Sequence, residues 1–470
     1  MEEKLLKKFI SFSFGNYISI IIGIITVPIT TRMLSPSEYG IYSLTEILIN
    51  IIVLISFLGM DQGFMRYFYE EKEELRGGLL YNCIFYPVIM LILILSVIFF
   101  FKNEVSNFLS GENDNFIFKG IVLGSLVYFF NRFSMLIIRM NQLGKLYSVL
   151  NIIIQVLKFI FILLLYKYYF DSYKVILYSN IFSLIIITLI AIIHQRKIWK
   201  FYTKSSFDKK EIFFYSVPLS VSVILIWVFQ SLDKIMIQNY STSYQVGIYS
   251  VSFKIIALIN TIQQGFTMFW TPVAYEKYSK NPENLKFFEN IFDYVAIFFF
   301  MIGVGVLLSK DIIVLFLGNK YIDSMNIFPM LIFIPIMYTL SEVTVVGLVF
   351  RKKTTIIMFL TFIVTLFNGI ENFFLIPKFG AKGAAISTGI TYILFFILRT
   401  YFSIKFINFK FNLKRAYFTI ILIILYSLYL TFTNKIYYTV VLGLLLEFVI
   451  VILYFDIVKN IIKKFYNIFR

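Results

Sequence analysis

Long apolar runs separated by short polar segments dominate the pattern of this chain. Most runs hold about 20 residues with few or no charges, the length that an α-helix needs to cross the ~30 Å hydrocarbon core of a bilayer. Such runs predict membrane-spanning helices rather than the amphipathic elements of a water-soluble domain. We predict spans at 10–31, 40–60, 79–101, 116–138, 146–169, 174–194, 212–233, 246–270, 291–309, 324–349, 355–376, 383–404, 416–432 and 436–458. The predicted fold class is an all-α membrane protein with about fourteen transmembrane helices.

Composition supports a membrane protein and argues against an enzyme. Of the 470 residues, 59% are hydrophobic and 15% are charged, whereas soluble domains are about half apolar and roughly a quarter charged. The single cysteine, Cys83, cannot form an internal disulfide or build a metal site alone, and the single histidine, His194, is expected at a solvated helix end. No motif typical of a hydrolase, an ATPase or a metalloprotease occurs. We therefore expect no catalytic residue, no metal and no cofactor.

The distribution of basic residues predicts the orientation of the helices. When the N-terminus is placed in the cytoplasm and the spans alternate, 29 Lys and Arg residues fall in cytoplasmic segments and 11 in outer segments. This asymmetry is what the positive-inside rule requires. We expect both termini to be cytoplasmic, and the net charge of +17 then needs no nucleic acid as a partner.

A short internal repeat divides the chain into two halves. Residues 39–42 read Tyr-Gly-Ile-Tyr and residues 246–249 read Val-Gly-Ile-Tyr, and each segment opens the second span of its half. Six spans per half give both halves the same orientation, which predicts two lobes around a central cavity, related by an axis along the membrane normal. The predicted parts are an N-terminal lobe 1–194, a basic cytoplasmic connector 195–211, a C-terminal lobe 212–404, and two further helices with a cytoplasmic tail in 405–470.

Basic residues within or beside the spans are candidates for binding an anionic substrate. A charge at the centre of a span costs about 2.5–3.5 kcal/mol on insertion scales, so each one calls for an explanation. The candidates are Arg132, Lys158 and Lys254 within spans, and Arg32, Arg66 and Arg139 near span ends. A planar guanidinium suits phosphate because it donates two parallel hydrogen bonds. For Arg32 and Arg139, snorkelling to the interface explains their position equally well, whereas the deeper Lys158 and Lys254 favour lining a cavity.

Four acidic residues have two open interpretations. Asp61, Asp233, Glu342 and Glu371 lie in spans or at their ends. They are candidates either for neutralising these cations or for binding a coupling ion. The sequence does not choose between the two roles.

The order of motifs along the chain resembles a known transporter family. The motifs are Asn16-Tyr17 with Pro28, Arg32, Leu34-Ser35-Pro36 and Tyr39-Gly40; Gly59-Met60-Asp61-Gln62-Gly63-Phe64-Met65-Arg66-Tyr67-Phe68; Ser216-Val217-Pro218-Leu219 with Asp233-Lys234; Gly247-Ile248-Tyr249 with Lys254; and Ile376-Pro377-Lys378-Phe379-Gly380-Ala381-Lys382-Gly383-Ala384-Ala385. Over about residues 10–404 the chain resembles bacterial polysaccharide repeat-unit flippases. These form the polysaccharide transporter branch of the multidrug/oligosaccharidyl-lipid/polysaccharide superfamily.

The resemblance implies a function in the bacterial cytoplasmic membrane. Such proteins move undecaprenyl-diphosphate-linked oligosaccharide repeat units from the cytoplasmic to the outer leaflet, for surface polysaccharide synthesis. The implied partners are this lipid-linked glycan, the bilayer, a polysaccharide polymerase and a coupling ion, H⁺ or Na⁺. Matching motifs carry the roles to Arg32, Arg66, Asp233 and Lys254. The roles of the other candidates depend on physical argument alone.

Three alternatives stay open. A multidrug exporter of the same superfamily would favour acidic cavities, whereas this chain has more intramembrane cations. A flippase for the peptidoglycan lipid precursor would have a similar number of helices and similar charges. A membrane polysaccharide polymerase or ligase would carry a large outer loop, and the predicted outer loops stay below about twenty residues.

Overall fold

The protein is represented by a computed structural model that describes residues 18, 22–23, 25–169, 171–200 and 204–468. Within these residues the regular structure is helical, and no β-strand occurs among them. Two compact units are present: the first comprises the chain to Gln238 together with Thr242–Gly247, and the second comprises Asn239–Ser241 and the chain from Ile248 onward.

Among the described residues of the first unit, 25–33 are helical and Glu73–Leu75 form a 3₁₀ helix, and the α-helices from Pro36 onward are numbered here in chain order. They are α1 Pro36–Phe57, α2 Met60–Tyr67, α3 Arg76–Phe100, α4 Lys102–Ser110, α5 Asn115–Met140, α6 Gly144–Tyr166, α7 Lys174–His194 and α8 Lys209–Tyr240. The long helix α8 lies in this unit up to Gln238, although the sequence predicts the second lobe from residue 212. The equivalence of two six-helix lobes stays a prediction.

The second unit holds the remaining helices, beginning within α9. They are α9 Ser243–Lys280, α10 Leu285–Leu308, α11 Lys310–Leu317, the 3₁₀ helix Asn319–Asn326, α12 Phe328–Leu331, α13 Phe333–Thr344, α14 Val346–Phe350, α15 Thr354–Phe379, α16 Ala381–Phe406, α17 Leu413–Phe432, α18 Ile436–Leu453 and α19 Phe455–Ile468.

The predicted all-α membrane class is confirmed. Ten helices among the described residues are long and apolar enough to span a bilayer, and twelve if each of two bent pairs counts as one span. The first predicted span, 10–31, lies mostly outside the described residues, and the seventh forms α8. Large apolar side chains on α3 face outward, with Phe100 78% exposed and Ile92 58% exposed. This is the surface that a helix presents to lipid rather than to water.

Several predicted boundaries are wrong. The last span ends at Leu453 instead of residue 458, and a separate helix, α19, follows it. The tenth predicted span, 324–349, is interrupted and bends by 51° between the 3₁₀ helix and the segment Phe328–Thr344, which holds α12 and α13. Pro329 lies at the start of α12, where a proline fixes its own φ and supplies no backbone donor to the preceding turn. Predicted loop 102–115 contains the short helix α4.

Local chemistry determines where α1 begins and ends. Ser35 caps its N-terminus by accepting a hydrogen bond from the backbone N–H of Glu38, and Pro36 takes the first helical position. At the other end Leu58 and Gly59 both have positive φ, 48° and 73°. Two successive residues with left-handed backbone conformation end the helix and turn the chain sharply into α2. The turn places Asp61 beside α5, as described below.

The two repeated segments contact each other at their glycines. A Cβ on Gly40 would lie 1.9 Å from the carbonyl oxygen of Ser243, and a Cβ on Gly247 would lie 1.8 Å from that of Pro36. Both contacts are to backbone atoms, which cannot move aside as a flexible side chain can. The start of α1 therefore packs on the start of α9 at a distance that only glycine permits.

Glu71 fixes the end of the basic connector to the first unit. The side chain is buried and accepts hydrogen bonds from Ser205 Oγ at 2.6 Å, Ser206 N at 2.8 Å and Ser206 Oγ at 2.8 Å. Burial by itself raises the pKa of this carboxyl, but the hydrogen bonds from Ser205 and Ser206 outweigh it and hold the pKa of Glu71 below its usual value. Asn82 adds a hydrogen bond to the carbonyl of Phe207, 2.9 Å away.

Replacing Glu71 with glutamine should destabilise the protein in a pH-dependent way. At neutral pH we expect a loss of about 2 kcal/mol, because a charged acceptor of several hydrogen bonds becomes neutral. A carboxyl with a lowered pKa stabilises the fold above its unfolded value of ~4.3, and this contribution disappears as the pH falls through the folded value. Unfolding of purified wild type and Glu71→Gln in detergent should therefore differ at pH 7 and converge in acid. Glu74→Gln, which changes an exposed carboxylate nearby, is the control and should leave stability unchanged at both pH values.

Alanine at either repeat glycine should disrupt the contact between α1 and α9. We expect Gly40→Ala and Gly247→Ala each to cost about 1–3 kcal/mol, since the added methyl group overlaps a carbonyl oxygen. The thermal unfolding midpoint of the purified protein measures this cost. Gly305→Ala is the control, because its Cβ would meet only Glu447 Oε1, at 3.6 Å. Equal midpoints for all three variants would show that the helices do not cross at these glycines.

Candidate functional site

An ion pair lies near the end of the first unit where α1 and α5 both end. Asp61 is 6% exposed, and its Oδ2 accepts a hydrogen bond from Arg132 Nη2 at 2.6 Å. The guanidinium of Arg132 also lies over the ring of Phe57, 4.9 Å from its centroid. A buried carboxylate is costly without a partner, and Arg132 supplies one. This contact favours the counter-ion role for Asp61, one of the two roles that the sequence leaves open.

Arg132 is held in place without being enclosed. Its side chain is 40% exposed, while that of Asp61 is 8% exposed. One guanidinium nitrogen contacts Asp61 and one face contacts an aromatic ring, so part of the donor set remains accessible. A fixed, partly solvated guanidinium can accept a second anion without first breaking its ion pair.

Two further arginines lie at this end of the unit. Arg139, two turns after Arg132 on α5, is exposed and contacts the sulfur of Met65 at 2.8 Å. Arg66 on α2 is exposed and pairs with Glu70, four residues further along the chain. The structure therefore places three of the predicted cations at the end of one bundle. We name Arg66, Arg132 and Arg139 the arginine cluster.

Arg32 does not belong to the arginine cluster. It lies before the N-cap of α1, whereas Arg66 follows the other end of that helix. The 22 residues of α1 extend about 33 Å at 1.5 Å per residue, which is far longer than a diphosphate. Arg32 and Arg66 cannot contact the same diphosphate at the same time.

The predicted lysines occupy other positions. Lys158 is half-buried in the middle of α6, between the two ends of that helix. Lys254 is exposed on α9 in the second unit. Asp233 is buried on α8, and the neighbouring Lys234 donates to Ser43 Oγ on α1 at 3.2 Å. Apart from the arginine cluster, the candidate residues lie on different helices.

Glu342 pairs with Arg399, which the predicted orientation counts among the cytoplasmic basic residues. Arg399 Nη1 donates to Glu342 Oε1 at 3.1 Å and to Ser341 Oγ at 2.9 Å. Arg399 is 7% exposed and lies over the ring of Phe395, 4.6 Å from its centroid. Arg399 is not among the predicted site residues because the count of basic residues assigns it to a cytoplasmic segment, although it lies within the predicted span 383–404 and within α16. A charged residue that lies within an apolar run, close to its end, is the sequence signal for a buried charge of this kind.

Glu371 lies in a cluster of side-chain oxygens between α15 and α16. Thr391 Oγ1 donates to Glu371 Oε2 at 3.1 Å. Asn368 contacts Ser387 Oγ at 3.1 Å and Thr391 Oγ1 at 3.3 Å, and Asn372 donates to Asn368 Oδ1 at 3.1 Å. A carboxylate that accepts a hydroxyl hydrogen bond beside uncharged amide and hydroxyl side chains can exchange a proton or bind a hard cation. Among the described residues, no group of three or more His, Cys, Asp or Glu could hold a metal ion.

Comparison with known proteins agrees with the resemblance found in the sequence. Residues 5–276 match the model of a family described as "Polysaccharide biosynthesis protein". A solved structure titled "Lipid II flippase MurJ, inward closed conformation" matches with a TM-score of 0.69 and 18% sequence identity, over 95% of this chain and 99% of that chain. At that identity the likeness establishes a shared fold. No curated protein matches the chain at a significant level. Because the family model covers more than half of its length, the chain belongs to the polysaccharide biosynthesis protein family.

Proposed function

We propose that this protein is a flippase for undecaprenyl-diphosphate-linked oligosaccharide repeat units, moving them from the cytoplasmic to the outer leaflet of the bacterial cytoplasmic membrane by alternating access. The observation that carries the proposal is the arginine cluster: three guanidinium groups at one end of an apolar helical bundle, of which Arg132 is fixed by Asp61 and still 40% exposed. The family and the shared fold support the same class of transporter. The protein acts on a lipid-linked glycan without cleaving it, so it is a transporter and not an enzyme.

Physical chemistry explains why such a transporter needs fixed cations. A diphosphate is strongly hydrated, and moving it into a medium of low dielectric without partners costs many kcal/mol. Guanidinium groups replace that hydration with charge-assisted, bidentate hydrogen bonds. The polyprenyl chain needs no such partners, because it stays in lipid. We assign first contact with the diphosphate to the arginine cluster. Lys158, Lys254 and Arg32 are assigned to later steps of the passage.

The peptidoglycan lipid precursor is the second candidate substrate, because the matched structure is titled as a lipid II flippase. The family description favours a surface polysaccharide instead. Both substrates carry a diphosphate, so the arginine cluster serves either one. Depletion of the protein distinguishes them: cells lose surface polymer in the first case and lyse in the second.

We assign ion coupling to Glu371. Its carboxylate accepts a hydrogen bond from Thr391, whose hydroxyl accepts one from Asn368, whereas Asp61 and Glu342 each have an arginine partner. A carboxylate among uncharged side chains can change its charge or its bound ion during transport. The coupling ion would be H⁺ or Na⁺.

Removing exposed cations should strongly reduce transport without lowering the amount of protein in the membrane. Arg66→Ala and Arg139→Ala each delete a charge-assisted contact worth about 1.5–3 kcal/mol, which corresponds to a roughly 10- to 100-fold loss of flipping. Lys254→Ala should reduce flipping similarly. Translocation of a diphosphate-linked glycan in proteoliposomes and surface polymer in cells measure the effect, with membrane protein quantified in parallel.

Arg196→Ala is the matched control for these variants, since it removes an exposed arginine of the connector and should transport normally. Full polymer export by Arg66→Ala, Arg139→Ala and Lys254→Ala would contradict the assigned roles. Reduced export in the control as well would indicate a general charge effect instead of substrate binding.

Glu371→Gln should uncouple transport from the ion gradient. The variant keeps the shape of the side chain but can neither release a proton nor balance a cation. We expect flipping in proteoliposomes to become independent of an imposed H⁺ or Na⁺ gradient. Glu447→Gln, which alters another half-buried carboxylate on a span of the same unit, is the control and should keep the gradient dependence. A gradient dependence that survives in Glu371→Gln would exclude Glu371 as the coupling residue.

A further inference from the structure

The helix α19 has segregated polar and apolar faces. On an ideal helix of 100° per residue, six apolar sequence positions fall within an arc of about 140°; these are Ile457, Val458, Ile461, Ile462, Phe465 and Ile468. The opposite arc holds Asp456, Lys459, Asn460, Lys463, Lys464 and Asn467. Of the polar residues whose side chains the structure describes, Lys459, Asn460 and Lys463 are exposed. Such a separation of polar and apolar faces is typical of a helix that lies at the interface between lipid acyl chains and water.

The start of α19 is fixed to the second unit. Tyr454, which separates α18 from α19, is fully buried, and the guanidinium of Arg415 lies 4.9 Å from the centroid of its ring. Arg415 Nη1 also forms an ion pair with Asp456 Oδ1, in the first turn of α19, at 2.9 Å. Ile457 is buried against the same unit. These contacts hold the helix where α18 ends.

Charge and connection favour a position of α19 at the membrane surface. Asp456, Lys459, Lys463 and Lys464 recur along it, and each charge would cost about 2.5–3.5 kcal/mol at the centre of a bilayer, so α19 is not a span. It directly follows α18, an 18-residue helix that qualifies as a span. A helix that begins where a span ends, cannot itself span, and separates its faces has one arrangement that satisfies both faces: it lies in the interface, with its apolar side toward acyl chains and its polar side toward headgroups and water.

We propose that α19 lies along the bilayer and binds anionic phospholipid headgroups. Lys459 and Lys463 are one helical turn apart on the exposed polar face, so both ammonium groups can reach the headgroup layer together. A juxtamembrane lysine contributes roughly a fivefold gain in partitioning onto an anionic surface, and two act together. The partner surface is the lipid leaflet that α18 adjoins. The proposal does not depend on the transported substrate.

Depth-sensitive labelling of the full chain tests this proposal. Asn460→Cys on the polar face and Ile461→Cys on the apolar face are labelled with an environment-sensitive fluorophore, in vesicles of phosphatidylcholine with or without phosphatidylglycerol. The wild-type chain, whose single Cys83 is buried, reports background labelling. We expect the label at 461 to be quenched by doxyl-labelled lipid and shielded from iodide, and the label at 460 to show the reverse.

Charge variants test the role of the lysines. Lys459→Gln combined with Lys463→Gln should lower the ratio of membrane-bound to detached helix in anionic vesicles by roughly 25-fold, or about fivefold per lysine. The effect should vanish in vesicles of phosphatidylcholine alone. Lys352→Gln combined with Lys353→Gln is the control, since it removes the same charge from an exposed turn elsewhere in the second unit.

Three outcomes would overturn the proposal. Equal quenching at 460 and 461 would show that the helix does not lie in the interface. Shielding of residue 461 from iodide without quenching by lipid would show that the apolar face is covered by protein, including a second copy of the chain. Identical behaviour in anionic and zwitterionic vesicles would show that the lysines do not bind anionic headgroups.

Discussion

A carboxylate paired with an arginine from another helix, with at least one of the two buried, holds helices together in each unit. In the first unit Arg132 of α5 holds Asp61 at 2.6 Å, and in the second Arg399 of α16 holds Glu342 at 3.1 Å. Leaving one member of such a pair alone costs about 3–5 kcal/mol, a large part of the roughly 5–15 kcal/mol by which proteins are stable. Each pair therefore fixes the position of one helix against another.

The two pairs differ in their access to solvent. The side chain of Arg399 is 8% exposed, whereas that of Arg132 is 40% exposed. An enclosed pair stabilises the fold and offers little to a ligand. A pair that is open on the arginine side keeps hydrogen-bond donors accessible to an incoming anion, at no further cost in buried charge. This difference in exposure, rather than the presence of arginine, marks the first unit's pair as the candidate for substrate binding.

The fold class and most helices can be predicted from the sequence because span length follows from bilayer thickness alone. The predicted span 174–194 agrees with α7 at both ends. Pairing cannot be predicted in the same way. Asp61 and Arg132 are 71 positions apart, and their contact depends on the left-handed turn that follows α1. The count of basic residues places Arg399 in a cytoplasmic segment because it lies near a helix end. Its burial depends on Glu342, which belongs to another helix. The tenth span is predicted as continuous because hydropathy does not register the backbone break near Pro329.

The length of α1 limits how tightly any one position should hold a passing headgroup. Its two ends lie about 33 Å apart, and Arg32 and the arginine cluster lie at opposite ends. Under the proposed function, the diphosphate must leave one binding position before it reaches the next. High affinity at either end would trap it there, as a deep well slows an ion in a channel. For the proposed transport, rapid passage favours several weak sites of similar strength over one strong site, and cations spread along the helices agree with that arrangement.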